Sequence, residues 1–232
     1  ETLLPQHHGP PRPILRHDAL LVHPRGDRLP SRRQHRRPCA RIARILDDRG
    51  IERAVLAGAS MGAHTITAFA LAHPDRVAAL ALLTPAFDPE AERDFDRWDA
   101  LAQGLREGGV EGFVRAYGTP KVPEKWRETV YRVIRQRLSA HRHPDALADA
   151  LEQVPRSRPF ERWEDLQRIE APTVVVASRD EADPEHPYAV GARYAELIPG
   201  ARLVSEKEGD SPLAWQGAQV SRVISELAAT VP

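Results

Sequence analysis

Ser60 lies within Gly58-Ala59-Ser60-Met61-Gly62, directly after the apolar stretch Ile51 to Ala57 and directly before the small-residue stretch Ala63 to His73. A serine hydroxyl is a poor nucleophile at neutral pH. It becomes useful when a tight strand-to-helix turn exposes it to a base and aims the first helical N–H groups at the oxyanion of the attacked carbonyl. The pattern reads as a nucleophile elbow, with Gly58 and Gly62 bare because side chains there would crowd the turn and the helix crossing behind it. A chance match in a surface turn is the competing reading. The strand before and the helix after favour the elbow.

The surrounding pattern is regular from residue 40 onward. Ala40 to Asp48 reads as a helix, Arg53 to Ala57 as a strand, Met61 to Ala72 as a helix and Val77 to Leu83 as a buried strand. Alternation of this kind predicts a parallel sheet with helices on its faces. From Glu90 to Arg158 the text turns helical, with Trp98, Leu101, Leu105, then Val110, Phe113, Val114, Tyr117, and later Trp126, Val130, Val133, Ile134 and Leu138, at spacings of three and four within each run. The sheet pattern resumes with a strand over Pro172 to Ala177, a helix over Ala189 to Leu197, a strand over Ala201 to Ser205 and a last helix over Val220 to Ala228.

Composition narrows the partners. Thirty-three basic residues balance thirty-three acidic ones, so the overall field favours neither nucleic acid nor a membrane surface, and a small apolar or ester-type substrate is expected. Cys39 is the single cysteine, which rules out an internal disulfide and a cysteine metal cluster and fits a cytoplasmic setting. No apolar run reaches the roughly 18–20 residues of a membrane helix. No metal or cofactor is expected, and the oligomeric state stays open. The segment 1–38 is rich in Pro, His and Arg, with Ala19-Leu20-Leu21-Val22 its clear apolar run; the basic cluster Arg32-Arg33-Gln34-His35-Arg36-Arg37 reads as a solvated loop. Met61 is the only methionine, so N-terminal residues are expected to be missing or processed away.

From about residue 40 to 232 the chain resembles the α/β-hydrolase family. The likeness rests on Gly58-Ala59-Ser60-Met61-Gly62, on Ala72-His73-Pro74-Asp75-Arg76-Val77, on Ala171-Pro172-Thr173-Val174-Val175-Val176-Ala177-Ser178-Arg179-Asp180 with Pro184, and on Ile198-Pro199-Gly200-Ala201. The resemblance implies a mostly parallel sheet flanked by helices. It divides the chain into 1–87 as the first part of the core, 88–170 as a helical cap and 171–232 as the rest of the core. It also carries the nucleophile role to Ser60, the acid role to Asp180 and one oxyanion donor to the Met61 backbone N–H. Asp183 is the second candidate acid.

Two features depart from the family pattern. Where the family has Gly-His before the last helix, this chain has Gly209-Asp210, and a carboxylate there cannot relay a proton as an imidazole does. His186, in the loop after Asp180, is a substitute base if it reaches Ser60; His64 should project away from the hydroxyl, and His73 should end its helix. At the N-terminus, Leu20 to Asp27 resembles one family loop with His23 at the usual Asp, and His8-Gly9 imitates another, but the Pro-rich interval between them is short for a parallel crossover. The early strands are therefore expected to be incomplete or atypical. Three functions remain: a serine hydrolase acting on a carboxylic ester or related acyl compound, a small-molecule binding protein on a hydrolase fold that has lost turnover, and cofactor-free lyase or perhydrolase chemistry. The aromatic residues Trp98, Tyr117, Trp126, Trp163 and Trp215 are expected chiefly to pack.

Overall fold

A computed structural model describes residues 36–207 and 209–231. Four strands, β1 (Ala54–Ala59), β2 (Val77–Leu83), β3 (Thr173–Val176) and β4 (Arg202–Val204), form a sheet in sequence order with every pairing parallel. Helices α1 (Arg36–Asp48), α2 (Met61–Ala72), α6 (Tyr188–Leu197) and α7 (Gly217–Ala228) flank it, while α3 (Phe95–Tyr117), α4 (Glu124–Ser139) and α5 (Pro144–Gln153) fill the long connection from β2 to β3. The readings that fall on residues 1–35, including Ala19 to Val22, His8-Gly9, His23 and the first part of the basic cluster, lie outside the described residues.

The sheet is buried on both faces because its strands alternate. Leu80, Leu82 and Val175 point into a core with Phe69, Trp163, Tyr194 and Ile198, whereas Ala79, Ala81, Val174 and Val176 meet Leu213, Val223 and Leu227 on the opposite side. Residues Val77 to Leu82 are all buried, so β2 is the hydrophobic centre of the sheet. Parallel strands gather their following loops at one rim. Here that rim carries Ser60 after β1, Thr84 after β2, Ser178 to Pro187 after β3 and Ser205 onward after β4.

The helical segment between β2 and β3 has its own apolar centre. Leu101, Ala102, Leu105, Phe113 and Ala148 are buried there, with Trp98, Tyr117, Ile134, Leu138 and Leu151 against them. Helix α3 is broken at Gly108-Gly109. Gly108 has φ −134° and Gly109 has φ 57°, and the chain doubles back so that a Cβ on Gly104 would lie 2.6 Å from the Gly112 carbonyl oxygen. Arg156 adds a fork to both oxygens of Asp99 at 2.8 and 2.7 Å, joining the end of the helical segment to its first helix.

The turn at Ser60 is confined by backbone against backbone. A Cβ on Gly58 would sit 2.5 Å from the carbonyl carbon of Gly62 and 2.9 Å from the Ala63 nitrogen, whereas one on Gly62 would meet no described atom within 4 Å. The sequence argument that both glycines must be bare therefore holds for Gly58 alone. Gly58→Ala is expected to destabilise the protein by about 3 kcal/mol or more, since neither strand nor helix can retreat, whereas Gly62→Ala, inside α2 with open space around it, should leave stability unchanged or raise it by up to about 1 kcal/mol. Denaturant unfolding of the two variants checks the contrast, which fails if their midpoints coincide.

Candidate active site

Ser60 occupies the residue before α2 with φ 51° and ψ −112°, a conformation L residues rarely adopt. Its N–H donates to Leu83 O at 2.9 Å and its carbonyl accepts from His64 N at 3.1 Å, so strand and helix grip it from both sides. Ala59 is in register with Leu83, which sets Ser60 beside Thr84, itself at φ 44° with its N–H on Val176 O at 2.7 Å. Two left-handed non-glycine residues thus lie side by side on the rim. Strain of this sort costs about 1–3 kcal/mol per residue and survives only where the surroundings over-determine it. Burial of a Leu such as Leu80 or Leu82 returns about 1.5–3 kcal/mol each, so the interior of β2 readily outweighs that cost.

His186 reaches the hydroxyl. Its Nε2 lies 2.7 Å from Ser60 Oγ, and its Nδ1 lies 2.8 and 2.9 Å from the two carboxylate oxygens of Asp183. With Asp183 ionised, Nδ1 carries the proton that it donates to the carboxylate, leaving the Nε2 lone pair to accept from the Ser60 hydroxyl. The local sequence explains the pairing. Asp183-Pro184-Glu185-His186 is a turn in which Asp183 O accepts from His186 N at 3.4 Å, and Pro at the second position presets the chain direction. Pro187 then precedes α6, so His186 is held between a turn and a helix start. The imidazole and Asp183 carboxylate retain 17% and 25% of their exposure, enough for a substrate to approach.

The Asp180 carboxylate sits elsewhere on this rim. One oxygen accepts from Ala182 N at 2.9 Å and the other from the Trp215 indole N–H. Its bonds organise the loop, and the carboxylate behind the imidazole belongs to Asp183. Asp210 is exposed, with its N–H on Lys207 O at 3.0 Å, and no described hydrogen bond joins its carboxylate to Ser60 or His186. The Met61 N–H is the first amide of α2, where no helical carbonyl precedes it to accept. His64 Nε2 is 2.8 Å from Ser157 Oγ rather than at Ser60 Oγ, and His73 ends α2 with its N–H on Phe69 O.

Sequence reasoning weighed Asp183 and His186 separately, each as a secondary candidate. The missed signal was their joint spacing: an Asp and a His at the ends of a Pro-containing turn place carboxylate and imidazole in contact. Of the aromatic residues, Trp163 is 2% exposed and packs edge-on to Tyr194, while Trp98 and Tyr117 support the helical segment. Trp126 and Trp215 are 36% and 47% exposed, and their indole N–H groups bind Glu181 and Asp180 on the loop that carries His186.

Comparison with known proteins agrees with this architecture. The family model described as the alpha/beta hydrolase fold matches residues 37–216. The chain therefore belongs to the α/β-hydrolase family. It is 32% identical over 167 residues to the 2-hydroxy-6-oxononadienedioate/2-hydroxy-6-oxononatrienedioate hydrolase 2 of Pseudomonas putida, covering 68% of this chain and 56% of that protein. The chain spans 56 to 60% of the length of two curated relatives it matches, a putative carbamate hydrolase of a Caulobacter species and the Pseudomonas protein. Among solved structures, a thermophilic esterase from Thermogutta terrifontis superposes with TM-score 0.67 at 22% identity, covering 84% of this chain and 72% of that one. The enol-lactonase of Burkholderia xenovorans superposes with TM-score 0.57 at 22% identity, covering 82% and 70%. No helix among the described residues is long and apolar enough to cross a membrane.

The loop between β4 and α7 is held from below by one carboxylate. Glu206 accepts from Arg179 N and, at 2.9 Å, from Leu213 N, while Ala214 N donates to Ser178 Oγ at 2.9 Å. Burial would push this carboxyl up, but the N–H groups of Leu213, Arg179 and Glu206 itself, together with the Ser178 hydroxyl, outweigh burial and hold it below the ordinary carboxylate value of 4.5. A carboxyl with a depressed folded pKa contributes stability that is complete above its unfolded value and disappears as pH falls through the folded one. Glu206→Gln is expected to lower stability by about 1–2 kcal/mol at neutral pH and to lose less than the parent on acidification below a pH of about 4.5. Thermal unfolding across that range checks it; parallel curves for the two proteins contradict the assignment.

Proposed function

We propose that this protein is a serine hydrolase acting on a carboxylic ester or a related acyl compound through an acyl-Ser60 intermediate. The observation that carries the reading is the continuous line from Ser60 Oγ through the His186 imidazole to Asp183, with spacings of 2.7 and 2.8 Å. In this scheme Ser60 Oγ attacks the substrate carbonyl carbon as its proton passes to His186 Nε2. The oxyanion of the tetrahedral intermediate turns toward the Met61 N–H at the positive end of α2. His186 then returns the proton to the leaving oxygen, the carbonyl re-forms and the acyl group stays on Ser60. A water deprotonated by His186 attacks that ester, and breakdown regenerates the serine. Asp183 keeps the imidazole in the required tautomer and stabilises its cation while the proton is held.

The region 88–170 is assigned as a cap over this rim, supported by its separate apolar centre and by its polar contacts with the loop that carries His186. The relatives' names support hydrolysis but differ among themselves. The Pseudomonas protein is named a dioate hydrolase, and the structural neighbours an esterase and an enol-lactonase. An ester-type acyl substrate is the class common to the scheme above. The reading of a protein that has lost turnover rests on Asp210 in place of a histidine, and an imidazole 2.7 Å from Ser60 favours the hydrolase reading over it.

A fluorophosphonate probe should label the protein at Ser60, and Ser60→Ala should abolish labelling. His186→Ala is expected to reduce the labelling rate by about 10²–10⁴-fold, the usual contribution of a positioned base. Asp210→His should give no gain of that size, because the base position is already filled. Equal labelling of Ser60→Ala and the parent contradicts the nucleophile; a large gain in Asp210→His contradicts the base.

A further inference from the structure

The segment from Asp180 to Pro187 has no helix or strand of its own, yet it must hold an imidazole within hydrogen-bond distance of Ser60. Two successive turns support it from within, Asp183 N donating to Asp180 O at 3.1 Å and His186 N to Asp183 O at 3.4 Å, and the Trp215 indole holds Asp180 at its start. Beyond Asp180, its charged side chains are held from outside by the cap. At one end Glu181 accepts from Lys125 Nζ at 3.0 Å and from the Trp126 indole N–H at 3.3 Å, both at the start of α4. At the other end Glu185, the residue before His186, accepts from the Arg97 guanidinium at 2.7 Å.

Arg97 is built to keep that bond. It belongs to the first turn of α3, whose N-cap Asp94 accepts the Arg97 N–H at 2.9 Å, so its backbone is fixed. Its guanidinium lies over the Trp98 ring and over the Tyr117 ring, each 5.5 Å away, which leaves the planar fork few other orientations. The Arg97 and Glu185 side chains are 35% and 39% exposed, a setting where an ion pair adds little to global stability. Its effect therefore falls on position, and a displacement of about 1 Å in a reacting group costs about a hundredfold in rate.

We propose that Arg97 is a positioning residue: through Glu185 it holds the His186 imidazole on Ser60, so that a helix of the cap completes the relay. This rests on the hydrolase reading given above. The cap then acts on the reaction as well as on substrate access, since moving α3 away from the rim releases the turn that carries the base.

The test measures fluorophosphonate labelling of Ser60 in the full chain, in Arg97→Ala, Glu185→Gln and Arg97→Lys, and in a charge exchange combining Arg97→Glu with Glu185→Arg. Arg97→Ala and Glu185→Gln should label about 10–100-fold more slowly, with Tm lowered by no more than about 4 °C. Arg97→Lys or the exchanged pair should recover part of the rate. In a His186→Ala background, removing Arg97 should have no further effect, because a residue that acts through the imidazole loses its influence with it. Unchanged labelling in both Arg97→Ala and Glu185→Gln overturns the clamp while leaving the relay intact. A full additional loss in the His186→Ala background overturns it as well, since Arg97 would then act on the fold. A parent protein that does not label at Ser60 overturns the hydrolase reading, and the clamp with it.

Discussion

The contact between the Asp183 carboxylate and His186 Nδ1 is what the proposed chemistry depends on. An imidazole beside a serine is useful only in one tautomer, and a carboxylate on its far nitrogen selects that tautomer. In this chain both partners come from one four-residue turn, so the pairing needs no long-range fold to bring them together. The fold has to deliver that turn to Ser60. It does so because β1, β2 and β3 run parallel and adjacent, which sets the loop after β3 on the rim where the chain after β1 bends into α2.

That rim stores strain, and the core holds it in place. Ser60 and Thr84 both take positive φ at neighbouring strand ends, and each is pinned by a backbone hydrogen bond to the adjacent strand. Buried Leu80, Leu82, Val175 and Val176 make slippage of those strands costly, because a shift of one residue would exchange the two faces. Gly58 permits the close crossing of α2 behind the turn. The residues that expose Ser60 and those that stabilise the sheet are therefore the same short stretches of chain.

The sheet and its flanking helices were legible in the sequence because periodicity reports burial directly. The predicted helix Met61 to Ala72 and strand Val77 to Leu83 match α2 and β2 residue for residue, since Pro74 and the small-residue run mark their ends. The break in α3 was less visible. Gly108-Gly109 falls between the apolar run ending at Leu105 and the one starting at Val110, and the backbone approach of Gly104 to Gly112 shows that the two halves fold against each other. The bend at Ser60 follows from its motif, but the partners of its hydroxyl do not. Family order directed attention to Asp180 and to the position now held by Asp210, while the contact between Asp183 and His186 is a product of turn geometry that no periodicity encodes. Asp180 instead accepts from Trp215, thirty-five residues away, a pairing set only by the tertiary fold.

The most direct measurement compares the two aspartates. Asp183→Asn and Asp180→Asn each keep size and remove charge, and both can be followed by the rate at which Ser60 reacts with a fluorophosphonate. The relay described here predicts a loss of about 10³–10⁴-fold in Asp183→Asn, as expected when the imidazole is left in the wrong tautomer, and a far smaller change in Asp180→Asn. A larger loss in Asp180→Asn, with Asp183→Asn close to the parent, would contradict the account and move the acid role to the other carboxylate.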